Sequence, residues 1–437
     1  MPVYLERISL GDRSIVVAQV PSMPTSTPIS NSDIIHHQSP ATGQSTAVKH
    51  GWVYGLLFGL HFTAVGFAWI PLFTKLRELF GQQTAAICGS GPSIAAIMTL
   101  FLFLFVESRW PRIPRRLWCA MAEVGMACGY IAVFLAIRIP TAWYETQTFG
   151  VVWVFLPMFI AMGLCQASAN ALLTSMILAS GHSANLPKYR AIGSLGYALV
   201  AFSMNSLIQP SHGLLLATIT ACIAALACRY LPNIEATKPT AANTETLLHS
   251  GRWNRQLPVI IPLLIMLFLI GNCEQFHMLY AHQFATKQFG TSGTNWIGYA
   301  VLLEICVLFL YPAKIHGWRS LLILVQPVAW ILVFYSCTYG IEWSHWFAYA
   351  ILLQGFNCAG VVMVQQRIGK ILSNVSAQAS IIFAQGLGSL SASSLDAFVL
   401  GEGTSVVWRT ALLFSVAAAV VAIVTLTSQL KMLRHRH

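Results

Sequence analysis

The chain has 437 residues, of which 56% are apolar and only 9% charged, with a mean hydropathy of +0.66 and a formal net charge of +11. About a quarter of the residues of a soluble domain are charged, so a fully water-covered protein is excluded, and the length fits about twelve apolar segments of ~20 residues with short loops. The basic excess is then read as the bias of Lys and Arg toward cytoplasmic loops, not as a nucleic-acid surface.

Residues 1–50 are polar and rich in Ser, Thr, Pro and Gln. They lack a basic stretch followed by an apolar one, so no cleavable signal is read. A disordered cytoplasmic tail is expected instead, and Met23 is an alternative start. From Gly51 onward apolar runs alternate with short polar loops. Spans are expected near 52–74, 84–106, 117–138, 149–180, 188–208 and 213–231, forming an N-terminal half over 51–231. A polar cytoplasmic loop follows at 232–256. A C-terminal half over 257–430 holds spans near 258–284, 295–312, 320–339, 344–366, 377–399 and 407–428. A basic cytoplasmic tail closes the chain at 431–437.

Charge tests this layout independently of hydropathy. With both termini inside, the outer loops hold only Lys75, Arg77, Arg138, Lys287 and Arg409 of the basic residues, leaving aside Arg190. The inner segments hold clusters such as Arg109, Arg112, Arg115 and Arg116, or Lys431, Arg434 and Arg436. A wrong number of spans would scramble that alternation. The expected fold class is therefore an all-α integral membrane protein of twelve transmembrane helices in two six-helix halves. Such transporters bind solute near the bilayer midplane where the halves meet. Spans 5 and 11 are rich in small residues, GSLGYALVAFS and GLGSLSASS, which let helix backbones approach closely.

Ionisable groups at membrane depth cost roughly 2.5–3.5 kcal/mol each on insertion scales, which makes them functional candidates. Glu304, in WIGYAVLLEICVLFLYP, is the clearest, because no other charge shares its run. Desolvation disfavours a charged carboxylate, so such a group suits proton binding and release, against the alternative of a permanently protonated acid bonded to a neighbouring helix. Span 7 carries NCEQFHMLYAHQF, which adds Glu274, Gln275 and His277 as candidates on at least one cavity-facing side. Glu123 in span 3 and Asp396 in span 11 read more readily as structural, Glu123 through pairing with a base and Asp396 through solvation at the outer end. His61, seven residues after Tyr54 in span 1, is a cavity candidate; Gln166, Ser168 and Asn170 in span 4 are read as packing hydrogen bonds. Arg190, Ser194 and Tyr197 follow i, i+4, i+7 spacing and share one helix face. A cation, a hydroxyl and a ring on one face can hold a polar, ring-bearing solute; the competing reading of Arg190 is a snorkelling anchor.

The run Arg190-Ala-Ile-Gly193-Ser194-Leu-Gly196-Tyr197 resembles the R-x-x-G-[ST]-x-G-[FYW] start of span 5 in the nucleoside:proton symporter family of the major facilitator superfamily. The lactose permease group has a similar pattern. Glu304 and Gln275 fall where those symporters carry a span-8 glutamate and a span-7 glutamine. The tracts AKIHGWRSLLIL, LLQGFNCAGVVMVQQRIGK and AQASIIFAQGLGSLSA look like their 8–9 loop, span 10 and span 11. The resemblance implies that Arg190, Ser194, Tyr197, Gln275 and Glu304 line the solute cavity with proton coupling among them. The chain departs from the pattern at Val301, at Ala359 (with Asn357 the closest polar residue) and at His61, where the family has polar or acidic groups of other kinds.

The function expected is proton-coupled uptake of a nucleoside or similar small polar solute. Substrate binding is assigned to Arg190, Ser194, Tyr197, Gln275, His61 and Asn357, and proton coupling to Glu304, Glu274, His277 and Glu123. A sugar or aromatic-acid symporter or an exporter of the same fold is the alternative, and a non-transporting membrane sensor the alternative from another class. No HExxH motif, no reactive Ser/His/Asp set and no P-loop is read in the sequence, so neither catalysis nor direct ATP drive is expected. The ten cysteines read as small core residues, with no metal site and no cofactor beyond the coupling proton. A monomer in a cell membrane, most simply a bacterial inner membrane, completes the expectation.

Overall fold

The computed structural model describes residues 5–10, 13–18, 51–110, 113–139, 148–206, 210–232, 260–277, 293–310, 316–339, 357–371, 375–397 and 404–434. The central loop and most of the N-terminal tail, including Met23, lie outside them, as do the final three residues. The chain divides into two compact units, Met1–Ser45 and Thr46–His437. In the first, β1 (Leu5–Leu10) pairs antiparallel with β2 (Arg13–Ala18), Leu5 opposite Ala18 and Leu10 opposite Arg13. The sequence reading has no strand there. The alternation in LERISL and RSIVVA, which suits a hairpin, was outweighed by the polar composition around it.

The second unit is helical. In chain order it holds α1 (Gly51–Gly89), α2 (Gly91–Arg109), α3 (Arg115–Ile137), α4 (Thr148–Ala179), α5 (Leu186–Ser206), α6 (Pro210–Ala227), α7 (Ile260–His277), α8 (Gly293–Phe309), α9 (His316–Tyr339), α10 (Asn357–Ile371), α11 (Val375–Leu395) and α12 (Thr404–Arg434). Among the described residues, seven helices are long and apolar enough to cross a membrane. The other expected spans coincide, wholly or in part, with described helices that are shorter or more polar. The polar loop expected between the first two spans is narrower than read: helix continues to Phe80 and breaks at Gly81 (φ 82, ψ 171), a backbone that glycine adopts without steric cost. Gln83–Arg109 then forms the second apolar stretch, with Pro92 in the first turn of α2.

Large apolar side chains stay uncovered on the outside of this bundle: Trp153 is 75% exposed, Leu199 62% and Leu413 70%. In water so much exposed apolar surface would drive association; facing lipid tails it costs nothing. The protein is a multi-pass membrane protein.

Because lipid offers no hydrophobic drive between helices, close packing must hold them. In the N-terminal half α1 packs on α5 and α6, α3 on α4 and α6, and α2 on α4; in the other half α9 packs on α12. The halves meet where α2 packs on α11 and α5 on α8. Small residues permit this. A Cβ at Gly196 of α5 would come within 2.7 Å of the Gly59 carbonyl oxygen of α1, and one at Gly388 of α11 would overlap the Phe268 carbonyl of α7. The small-residue runs noted in spans 5 and 11 are therefore helix-crossing surfaces.

Candidate functional site

Between the halves lies a cavity of about 320 Å³, lined from α1, α2, α4, α5, α7 and α11. Its polar lining is Ser93 of α2, Gln166 and Asn170 of α4, Tyr197 of α5, Glu274 and Gln275 of α7, and Gln385 and Ser389 of α11, with Trp69 of α1 supplying a ring. Trp69 Nε1 donates to Gln166 Oε1 at 2.8 Å, and Gln275 Nε2 donates to Ser393 Oγ at 2.8 Å. Both bonds fix an amide at the wall.

The face of α5 read from its spacing leads directly to this cavity. Arg190 is 7% exposed and reaches Asn170 Oδ1 with Nη1 at 3.4 Å, while its guanidinium carbon sits 5.1 Å from the Phe62 ring centre and 5.5 Å from that of Phe58. Two aromatic faces stabilise the cation, but its Nε has no hydrogen-bond partner, and among the described residues no carboxylate pairs with it. One turn on, Ser194 Oγ donates to Glu304 Oε1 of α8. Tyr197, two turns from Arg190, lines the cavity and lies within electrostatic reach of Glu304. The structure thus brings Arg190, Ser194, Tyr197 and Glu304 into one region beside the cavity, and Gln275 and Glu274 into its wall.

Four other candidates sit elsewhere or lie outside the described residues. His61 Nδ1 lies 2.8 Å from Glu123 Oε1, both residues fully buried between α1 and α3; the pairing read for Glu123 therefore occurs, with His61 as its base. His277 stands edge-on to Trp330 of α9, ring centres 5.2 Å apart, and does not appear in the cavity wall with Glu274. Asn357 begins α10, but its side chain lies outside the described residues. Asp396, expected near water, is instead buried at 5% exposure.

Sequence reasoning missed Trp69, Gln385 and Ser389 and undervalued Gln166 and Asn170. Gln166 and Asn170, like Gln385 and Ser389, are four apart, which stacks each pair on one helix face. That spacing was the available signal; the small residues around Gln385 drew attention to packing instead.

No protein-family model matches the sequence, and no curated protein matches it significantly. Solved structures do. The chain is similar to a variant of the nucleoside transporter NupG (16% identity, 86% of this chain and 99% of that one, TM-score 0.61). It is also similar to the human organic anion transporter MFSD10 (15%, 86% and 99%, TM-score 0.61). A third match is the proton:xylose symporter XylE from E. coli (13%, 86% and 95%, TM-score 0.62). All three are major facilitator superfamily transporters. The chain has the major facilitator fold. In that fold the pairs α2–α11 and α5–α8 form the seam between halves, and the cavity lies on it.

Proposed function

We propose that this protein is a secondary transporter that takes up a nucleoside, or a small polar solute of similar make, together with protons. The observation that carries the reading is the hydrogen bond from Ser194 to Glu304, which joins α5 of one half to α8 of the other beside the cavity. Alternating access rocks one half against the other, so a titratable group on the seam feels both the proton and the rocking. The cavity offers what a nucleoside needs: rings at Trp69 and Tyr197 for a base, and amides and carboxylate at Gln166, Gln275, Gln385 and Glu274 for hydroxyls and ring edges. Support from outside the chain is the likeness to a nucleoside transporter and to a proton:xylose symporter. In this reading the protein works as a monomer in a cell membrane, most simply a bacterial inner one, with both termini cytoplasmic. It transports without catalysing and uses no cofactor beyond the proton.

A second reading has one observation in its favour. Arg190 is a buried cation with an unused Nε and no acidic partner among the described residues, and buried charges are ordinarily paired. An aromatic acid would supply that charge. Proteoliposomes given an inward proton gradient and labelled uridine separate the two. Uptake that rises with the gradient and is blocked by other nucleosides supports the first reading; uptake of labelled benzoate, with none of uridine, replaces it with the second.

A further inference from the structure

His61 and Glu123 form a buried pair that Glu304 does not explain. Nδ1 and Oε1 are 2.8 Å apart, and neither residue has exposed surface. The other ring nitrogen, Nε2, and the other carboxylate oxygen, Oε2, have no hydrogen-bond partner. A buried ion pair kept for stability offsets its desolvation only when the remaining donors and acceptors are also satisfied. This pair leaves one hydrogen-bonding site unsatisfied on each partner.

Among the described residues, the surrounding elements carry other titratable and charged groups. From α3, Cys119 and Tyr130 face Glu123, and from α4 Cys165 does. The turn Cys228–Tyr230 brings Cys228 against Cys119, with Arg229 exposed. Against α1, α5 brings the buried Arg190, with Lys188 exposed; α6 brings His212 near its start and an exposed Cys222. Helix α2 has Glu107 and Arg109 at its far end, and α11 has no charged residue before Asp396. Among the described residues His61 is the one base within 4.0 Å of Glu123.

The pair is also connected to the solute face. His61 meets the Phe62 ring edge-on, centres 5.2 Å apart, and the Arg190 guanidinium lies 5.1 Å from the same ring. Arg190 in turn holds Asn170, which lines the cavity. We infer that His61 and Glu123 form a second proton-binding site, inside the N-terminal half, whose occupancy sets solute affinity through Phe62 and Arg190. With the proton, the pair is an imidazolium beside a carboxylate and carries no net charge. Without it, the neutral imidazole leaves one uncompensated negative charge in a low-dielectric site, which is costly. Deprotonation thus leaves a net negative charge one ring away from Arg190, which draws the guanidinium toward the pair, steeply at low dielectric. Protonation removes that pull and leaves the guanidinium to Asn170 and the bound solute, and binding tightens.

The affinity part of this inference rests on the nucleoside reading, so its test has a readout that does not. Purified full-length protein is uniformly labelled at histidine nitrogens, and the His61 ring signal is assigned by its loss in His61→Gln or, should that variant not fold, His61→Asn. The signal is followed between about pH 6 and pH 8, the range that brackets ordinary histidine titration. Uridine dissociation constants are measured at the same two values. The expected result is a His61 signal that moves with pH, and an affinity that is about tenfold tighter at the lower value, within the usual range of coupling between sites. In His61→Gln and Glu123→Gln that difference shrinks below about twofold while uridine still binds. A His61 signal that stays fixed, or a pH difference retained in both variants, overturns the inference. If uridine binds to none of them, the nucleoside reading fails, and the ring signal alone decides the proton site.

Discussion

Arg190 shows how far residue spacing reaches and where it stops. The i, i+4, i+7 pattern puts Arg190, Ser194 and Tyr197 on one face of α5, because a helix makes neighbours of residues three and four apart. What that face meets was not legible. Phe58 and Phe62 lie on α1, Asn170 on α4 and Glu304 on α8, and no local pattern joins positions so distant. The same holds for His61 and Glu123, 62 residues apart in sequence. Arg190→Ala is expected to abolish uridine binding while the protein still inserts, since it removes both the cation and the bond to Asn170. Arg190→Lys should restore little, because an ammonium lacks the planar fork that lies between two rings and still donates. Equilibrium binding to purified protein checks both, and full affinity in the alanine variant would reduce Arg190 to an anchor. His61→Ala leaves Glu123 buried without its base, a change that typically costs about 3–5 kcal/mol. A clear fall in unfolding temperature is expected for it, and a much smaller one for His61→Gln, which retains a donor.

At the scale of elements, hydropathy and charge located the helices well but not their breaks. A long apolar run says that a segment crosses lipid and says nothing about where it bends, so the glycine break at Gly81 and the narrow gap between the first two spans were invisible. Spans 5 and 11 illustrate the opposite case. Their small residues were legible as crossing surfaces, and the α5–α1 and α7–α11 contacts are built on them. Gly196 faces Thr63 and the Gly59 carbonyl so closely that no larger residue fits without moving α5 away from α1. Gly196→Leu is therefore expected to lower the yield of folded, monodisperse protein severely, as size-exclusion profiles in detergent would show. Leu199→Ala, on the exposed surface of the same helix at 62% exposure, should leave the profile unchanged. Equal behaviour of the two variants would contradict the assignment of these faces.

Polar contacts among the described residues join the two halves. At the end where α2 finishes and α11 begins, Glu107 Oε1 accepts from the Val375 amide at 3.2 Å, and Gln366 Nε2 donates to the Ser183 carbonyl at 2.8 Å. Nearer the cavity, Ser194 bonds Glu304. The charge bias predicts the cytoplasmic side for the first two contacts. A reporter active only in the cytoplasm should accordingly work when fused after His437 or within 236–250, and fail within 140–147 or 286–294. The reverse pattern would overturn the orientation. The architecture of two halves was legible because composition, span count and charge alternation all agree; the cavity was not, since it exists only once six helices meet. Coupling is the central claim, and Glu304 is where it is most exposed to test. Glu304→Gln preserves shape and the bond to Ser194 but cannot ionise. Proteoliposomes holding wild type or this variant are loaded with unlabelled uridine for exchange, or left empty under an imposed proton gradient for accumulation. The account predicts that the variant exchanges labelled uridine yet accumulates none above equilibrium, while wild type does both. Uphill accumulation by Glu304→Gln, driven by the proton gradient alone, would contradict it.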